Sequence, residues 1–368
     1  MQKYDMKKLL IDLLKFKTTA DNNSELHKAV DYVDSLLNEY NVHTSRFVSN
    51  DKPSIVITTQ FTKSPKILLM GHLDVVPGNY EKAFEPFEKD GNIFARGASD
   101  MKGTVAAMIS AFQYVAKNNP EIDLGLMLTT DEEQGGENGA EFLLKEKEYS
   151  AEIVFLPDGG INWNVCTDEK GLWHVFVRAQ GKYAHGSRPW LGDNAINKCW
   201  KTYRDIRDVF REKWGKLREY DSWKPTINLG SLHGGEAANT VPKEAEMKLD
   251  IRFPSPVTPD EMMDIIEQAS KTNDVEFEII TGGHPSHTDK ENSYVQKWQK
   301  LVDKKLGKGT VEFEKAFGGS DGRHFSKYNI PVLMSLPNVS QQHIEDEWID
   351  YKSLEDFRDI LINWIIEK

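Results

Sequence analysis

Cysteine is almost missing from this chain of 368 residues, which has only Cys166 and Cys199. Two thiols make neither a disulfide framework nor a thiolate metal cage, so a reducing compartment fits and any metal site must be built from His, Asp and Glu. Long apolar runs are lacking too. No stretch approaches the roughly 20 apolar residues that cross a bilayer. The opening MQKYDMKKLLIDLLKFKTTADNN is broken by Asp12 and Lys15 well short of a secretory core, with no small-residue cleavage site after it. It reads as an amphipathic first helix; no membrane partner is expected, and a soluble, cytoplasmic protein is. Positive charge is in deficit: 46 Lys and Arg stand against 58 Asp and Glu, a formal charge of -12. Scattered basic residues in an acidic chain exclude a nucleic acid held by its phosphates.

What is present begins with length. A chain this long is too large for one ordinary core, so two domains are expected, at a size that suits an enzyme. Helical spacing runs from Ser24 to Tyr40, and PSIVITTQF and KILLMGHL are short apolar runs between turn residues, which read as strands. A helix follows Asp100 (MKGTVAAMISAFQYVAKN) and stops at Asn119-Pro120; LGLMLTT and AEIVFL are further strands. This alternation predicts an α/β fold with a mostly parallel sheet flanked by helices. After about Asp168 the order becomes strand, helix, two strands, helix, strand, the split β-α-β plan of a ferredoxin-like α+β domain. Helix and strand signals then resume, with SYVQKWQKLVDKKLG, IPVLMSL and LEDFRDILINWIIEK. The expected organisation is a discontinuous first domain, 1–168 and 285–368, with an insert at 169–284.

The chemistry gathers at strand ends. In LLMGHLDVVPG an apolar run ends in His72 and Asp74, followed by the turn residues Pro77 and Gly78. Such a pair is either an ordinary strand end or half of a metal site. Asp100, Glu132 with Glu133, and Asp158 then each follow a predicted strand or the turn beyond it, the edge where open α/β sheets collect their ligands. Taken singly, Asp100 could cap the helix that starts at Met101, and the two glutamates could be a solvated turn.

GHLDVVP, FARGASDMKG, TTDEEQGG and GKYAHGSRP, in that order and spacing, resemble the dizinc aminoacylase and carboxypeptidase family. That family includes acetylornithine deacetylase, succinyl-diaminopimelate desuccinylase, carnosinase-like dipeptidases and glutamate carboxypeptidases. The likeness extends through GGEAANTVPKEAEMKLDIRFP in the insert to GGSDGRHF and QQHIEDE. It implies a zinc-peptidase-like catalytic domain whose insert is a lid and dimerisation domain. His72 and Asp158 would be terminal ligands of one Zn2+, Glu133 and His343 those of a second, and Asp100 would bridge them; Co2+ or Mn2+ are possible substitutes. Two zinc ions about 3.5–4 Å apart need an anion between them, and oxygen and imidazole donors suit a catalytic zinc. Asp74 would orient the ring of His72, and Glu132 would be the general base that moves a proton from water to the leaving nitrogen.

By the same resemblance, His185 would reach the site of a partner subunit in a homodimer and stabilise the developing oxyanion. Asn239 and Arg252 would hold the substrate's free carboxylate, beside backbone N–H groups of the FGGSDGR turn at Gly319 and Ser320. The implied reaction is zinc-dependent hydrolysis of an amide bond next to a carboxylate, in a small peptide or an N-acyl amino acid. A biosynthetic deacylase, acting on acetylornithine or succinyl-diaminopimelate, is the alternative, and an inactive relative that binds an amino-acid derivative is a third. In the family's deacylases the position of Asp158 is usually Glu, so LPDGG leans towards peptides. The remaining histidines read as packing or surface: His27 in a helix, His43 in a turn, His174 in a strand, His284 and His287 where the insert ends, and His324 packed near the site. The tryptophans around the insert (Trp163, Trp173, Trp190, Trp200, Trp214, Trp223) read as core and subunit contact.

Overall fold

The structure, a computed structural model, describes residues 5–78, 80, 82–215 and 223–367. The chain divides into two compact units: Met1–Thr167 with His287–Ala316 and Ser320–Lys368, and Asp168–Ser286 with Phe317–Gly319.

The first unit is built on a six-stranded sheet ordered His43–Ser49, Lys52–Thr58, Leu124–Thr129, Ile67–His72, Ile153–Phe155, Val332–Leu333. The last four run parallel; the first two join them antiparallel. Strands covered on both faces read as continuous apolar runs rather than alternating ones. ILLMGH, LGLMLT and IVF do so, and every residue in them is buried. The edge strand behaves differently: His43, expected in a turn, opens HTSRFVS, which alternates between exposed and half-buried positions.

Helices cover the sheet. Met6–Lys15 turns Met6, Leu9, Leu10, Leu13 and Leu14 inward, and its first turn is capped by the Asp5 carboxylate, which accepts from Lys7 N at 3.0 Å. Lys102–Asn118 is buried nearly all round, as its alanines and valines allow, and packs against both Met6–Lys15 and Tyr351–Ile366. Beside the main sheet, Trp348–Asp350, Asn92–Phe94 and Phe87–Lys89 form a small antiparallel one.

The second unit is a four-stranded antiparallel sheet ordered Thr226–Gly234, Glu244–Phe253, Gly171–Gln180, Val275–Gly283. In chain order this is strand, helix, two strands, helix, strand, the ferredoxin-like plan. Burial alternates along Gly171–Gln180 and Glu244–Phe253, as one core face requires. Onto that face pack helices Ala195–Trp214 and Pro259–Thr272, through Cys199, Ile206, Phe210, Met262 and Ile266. Thr258 caps the second helix by accepting from Glu261 N at 3.2 Å, with Pro259 in its first turn.

Candidate metal centre

Three neighbouring parallel strands deliver the first residues of the centre. Their register pairs His72 with Thr129 and Leu69 with Phe155, so the first two strands end together and the third stops three residues short. His72 closes its own strand, Glu132 and Glu133 lie in the 3-10 turn just beyond Leu124–Thr129, and Asp158 lies just beyond Ile153–Phe155. Asp100 arrives from the connection before helix Lys102–Asn118. Met101 occupies that helix's cap position, with no side-chain cap bond, so Asp100 is free to face the histidines.

Two groups of donors result, His72 with Glu132 and Asp158, and Asp100 with Glu133 and His343, each with its donor atoms within 4.8 Å of one another. Asp100 joins them: its Oδ1 lies 3.0 Å from His72 Nε2 and its Oδ2 lies 3.1 Å from His343 Nε2. Glu133 Oε2 is 3.3 Å from the same His343 nitrogen. Asp74 is fully buried. Its peptide oxygen lies 3.0 Å from His72 Nδ1 and its carboxylate 3.5 Å away. That carboxylate also accepts from the backbone N–H of Glu132 at 3.3 Å and of Glu133 at 3.0 Å. One residue thus meets the imidazole mainly through its peptide oxygen and holds, through its carboxylate, the turn that carries both glutamates.

The electrostatics follow from crowding carboxylates in a buried place. Burial, then the neighbouring Asp158, pushes the Glu132 carboxyl well above its ordinary range. For Asp100 burial works in the same direction, but hydrogen bonds from His343 and His72 outweigh it and hold the carboxyl well down. Asp100, then Glu133, pushes His343 up to about 10. Each group could hold a metal ion. The donor chemistry fits divalent cations, because carboxylates outnumber imidazoles and both donor types suit zinc.

Supporting residues that no sequence period singles out surround the centre. Gln342 Nε2 donates to Asp158 Oδ1 at 3.1 Å. His324 is buried, its Nε2 2.9 Å from Gly135 O and its Nδ1 3.1 Å from Glu141, and Arg323 Nη2 donates to the same Gly135 oxygen at 2.7 Å. Together they brace the turn after Glu133. Asp131 and Asp321 are buried carboxylates beneath it. Burial, then Asp321, pushes Asp131 up to about 7.

The sequence pattern of Peptidase family M20/M25/M40 matches residues 68–367. The chain belongs to this family. It is therefore a metal-dependent hydrolase of amide bonds. A probable succinyl-diaminopimelate desuccinylase of Staphylococcus aureus is 27% identical, covering 98% of this chain and 97% of the relative. Among solved structures, a tripeptidase from Staphylococcus aureus superposes with a TM-score of 0.74 at 21% identity, covering 99% of this chain and 98% of its own. An M20 family metallo-carboxypeptidase from Sulfolobus solfataricus gives 0.76 at 18% identity, covering 98% and 99%.

The other residues expected from the M20 resemblance lie mostly in the second unit. His185 is exposed on a two-residue strand paired with Thr240–Val241, its Nδ1 2.8 Å from Ser187 Oγ. Asn239 sits beside it, accepting from Gly186 N through its backbone oxygen at 2.6 Å. Arg252 lies on Glu244–Phe253 and forks onto Asp250, with Nε to Oδ1 at 2.8 Å and Nη2 to Oδ2 at 3.1 Å. Gly319 belongs to the second unit's short segment, whereas Ser320 is buried in the first and accepts from Gly322 N at 3.1 Å. The tryptophans divide: Trp163 and Trp173 are buried, Trp190 and Trp200 exposed.

Proposed function

We propose that this enzyme uses two Zn2+ ions, replaceable by Co2+ or Mn2+, to cleave the amide bond next to a free carboxylate in a dipeptide, small peptide or N-acyl amino acid. The observation that carries the two-ion reading is Asp100, which turns one carboxylate oxygen to each imidazole. Bound there, the ions supply polarisation of the scissile carbonyl and acidification of a water. The chain does the rest. Glu132 lies beside His72 and Asp158, but its role in this reading is base rather than ligand: it takes the proton of the attacking water, then passes it to the leaving nitrogen. Asp74 keeps both the His72 ring and the Glu132 backbone in place. His185, with Nδ1 engaged by Ser187, has Nε2 as its working nitrogen for the developing oxyanion.

Domain roles belong to the same proposal: residues 1–168 and 285–368 catalyse, while 169–284 form a lid through which a cytoplasmic homodimer assembles. Asn239, Arg252, Gly319 and Ser320 would receive the substrate's carboxylate. The Arg252–Asp250 fork favours a second reading for that arginine, an ion pair within its own unit. A deacylase of biosynthesis is the alternative activity, and the desuccinylase relative supports testing it.

The experiment compares zinc- and cobalt-loaded protein on dipeptides, their C-terminally amidated forms, acetylornithine and succinyl-diaminopimelate. Free dipeptides are expected to be cleaved and amidated ones to lose most of kcat/KM, with Arg252→Ala erasing that difference at unchanged metal content. Equal cleavage of free and amidated forms would reject carboxylate recognition. A preference retained in Arg252→Ala would leave the arginine to its Asp250 pair.

A further inference from the structure

Glu347 is 1% exposed, and its carboxylate is filled by donors from a single stretch of chain. Oε2 accepts from Arg96 Nη1 at 2.6 Å and from Gly97 N at 3.1 Å; Oε1 accepts from Ser99 N at 2.8 Å and from Asp100 N at 2.9 Å. The contact is reinforced by the backbone. Ala95 N donates to Glu347 O at 3.1 Å, extending the ladder in which Trp348–Asp350 pairs with Asn92–Phe94. Two distant segments are thereby laced together where each carries a residue of the second donor group. One ends in Asp100; the other begins one helical turn's worth of sequence earlier, at His343.

We infer that Glu347 is a positioning residue for the second metal site, holding the bridging Asp100 and the His343 segment in register. The first group hangs from the ends of three strands of the main sheet, which fix it without help from Glu347. The second shares that frame only through Glu133, in the same turn as Glu132. Asp100 comes from the connection before Lys102–Asn118, and His343 is half exposed, with a backbone φ of +62° on a segment outside any helix or strand. What sets the 3.1 Å between Asp100 Oδ2 and His343 Nε2 is therefore the tie between their two segments, and the Glu347 carboxylate supplies four of its bonds. A carboxylate suits the task because all four partners are donors and it offers acceptors alone. An amide in its place would turn an N–H2 group towards two of them.

This inference rests on the two-ion reading, and the test separates the two. Metal-free protein is titrated with Zn2+ against a chromogenic chelator, and again with Co2+ while its visible absorption is followed. If the parent takes up fewer than two equivalents, the two-ion reading fails before Glu347 is examined. Given two, Glu347→Gln and Glu347→Asp are expected to loosen one equivalent by about 10–100-fold, as outer residues of metal sites do. The tighter equivalent should stay within about threefold of the parent, and the Co2+ absorption should change only at the weaker one. The inference is overturned if either folded variant binds both equivalents with parental affinity and spectrum. It is equally overturned if both equivalents weaken together as the thermal midpoint of the metal-free chain falls, because Glu347 is then a general strut. Should Glu347→Gln fail to fold, Glu347→Asp, which keeps the charge, decides; failure of both to fold also overturns it.

Discussion

Asp100 and Glu132 differ in what their loss should do, although both are acids in one cluster. Asp100 faces both imidazoles, so Asp100→Ala is expected to bring bound metal below one ion per chain by elemental analysis. Glu132→Ala should retain two ions while kcat falls by about 10²–10⁴-fold, the usual worth of a positioned base; near-parental turnover would place the base elsewhere. Asp131 offers a test through pH. Its carboxyl titrates at 3.8 ordinarily and at about 7 in the fold, so between those values the folded chain holds more protons than the unfolded one. The contribution of this carboxyl to stability must then fall as pH rises from about 4 to about 7. Asp131→Asn should raise the urea midpoint of the metal-free protein at pH 8 and leave it unchanged near pH 3.5. A variant no more stable at pH 8 would contradict the buried charge. At this scale the sequence was informative where a residue sat in a motif or at a strand end, as His72 and Asp158 do. Glu347 was invisible because Glu345 and Asp346 beside it look alike in sequence, and only the fold shows which one turns inward.

Among the elements, strand Ile153–Phe155 does two jobs, leading to Asp158 and anchoring an aromatic cluster. The ring of Phe155 lies 4.8 Å from that of Trp298, 5.3 Å from Trp364 and 5.8 Å from Phe357. Phe155→Ala should cost about 3–5 kcal/mol in equilibrium urea unfolding, by lost burial plus the cavity left behind. A loss below about 1 kcal/mol would mean that the surrounding rings collapse into the space. Elements of this kind were legible because fully buried parallel strands and amphipathic helices write their burial into apolar spacing. His43–Ser49 was not, since an edge strand with one half-covered face has few apolar residues to signal it. IPVLMSL was legible as a strand but not in extent: pairing with Ile153–Phe155 covers only Val332–Leu333.

At the level of the whole molecule, activity should be abolished by a chelator and restored by Zn2+. It should also fall on acidification, because protons compete with metal for His72 and His343. Full turnover by protein shown to be metal-free would sink the assignment. Mixing inactive His185→Ala with inactive Glu132→Ala tests the assembly: regained activity after confirmed subunit exchange is expected if the histidine serves a partner's site, and none if it acts within its own chain. The order of the donors along the chain also makes the site an event in time. During synthesis, His72, Glu132 and Asp158 have all been made long before His343, which at about 5–20 residues per second follows Asp158 by roughly 10–40 s. For that interval the nascent chain has every donor of both groups except His343, and the edge of Ile153–Phe155 waits for Val332–Leu333. The last donor of the site and the last strand of the sheet thus both come from the end of the chain, and until then that strand edge stays open to pairing with other chains.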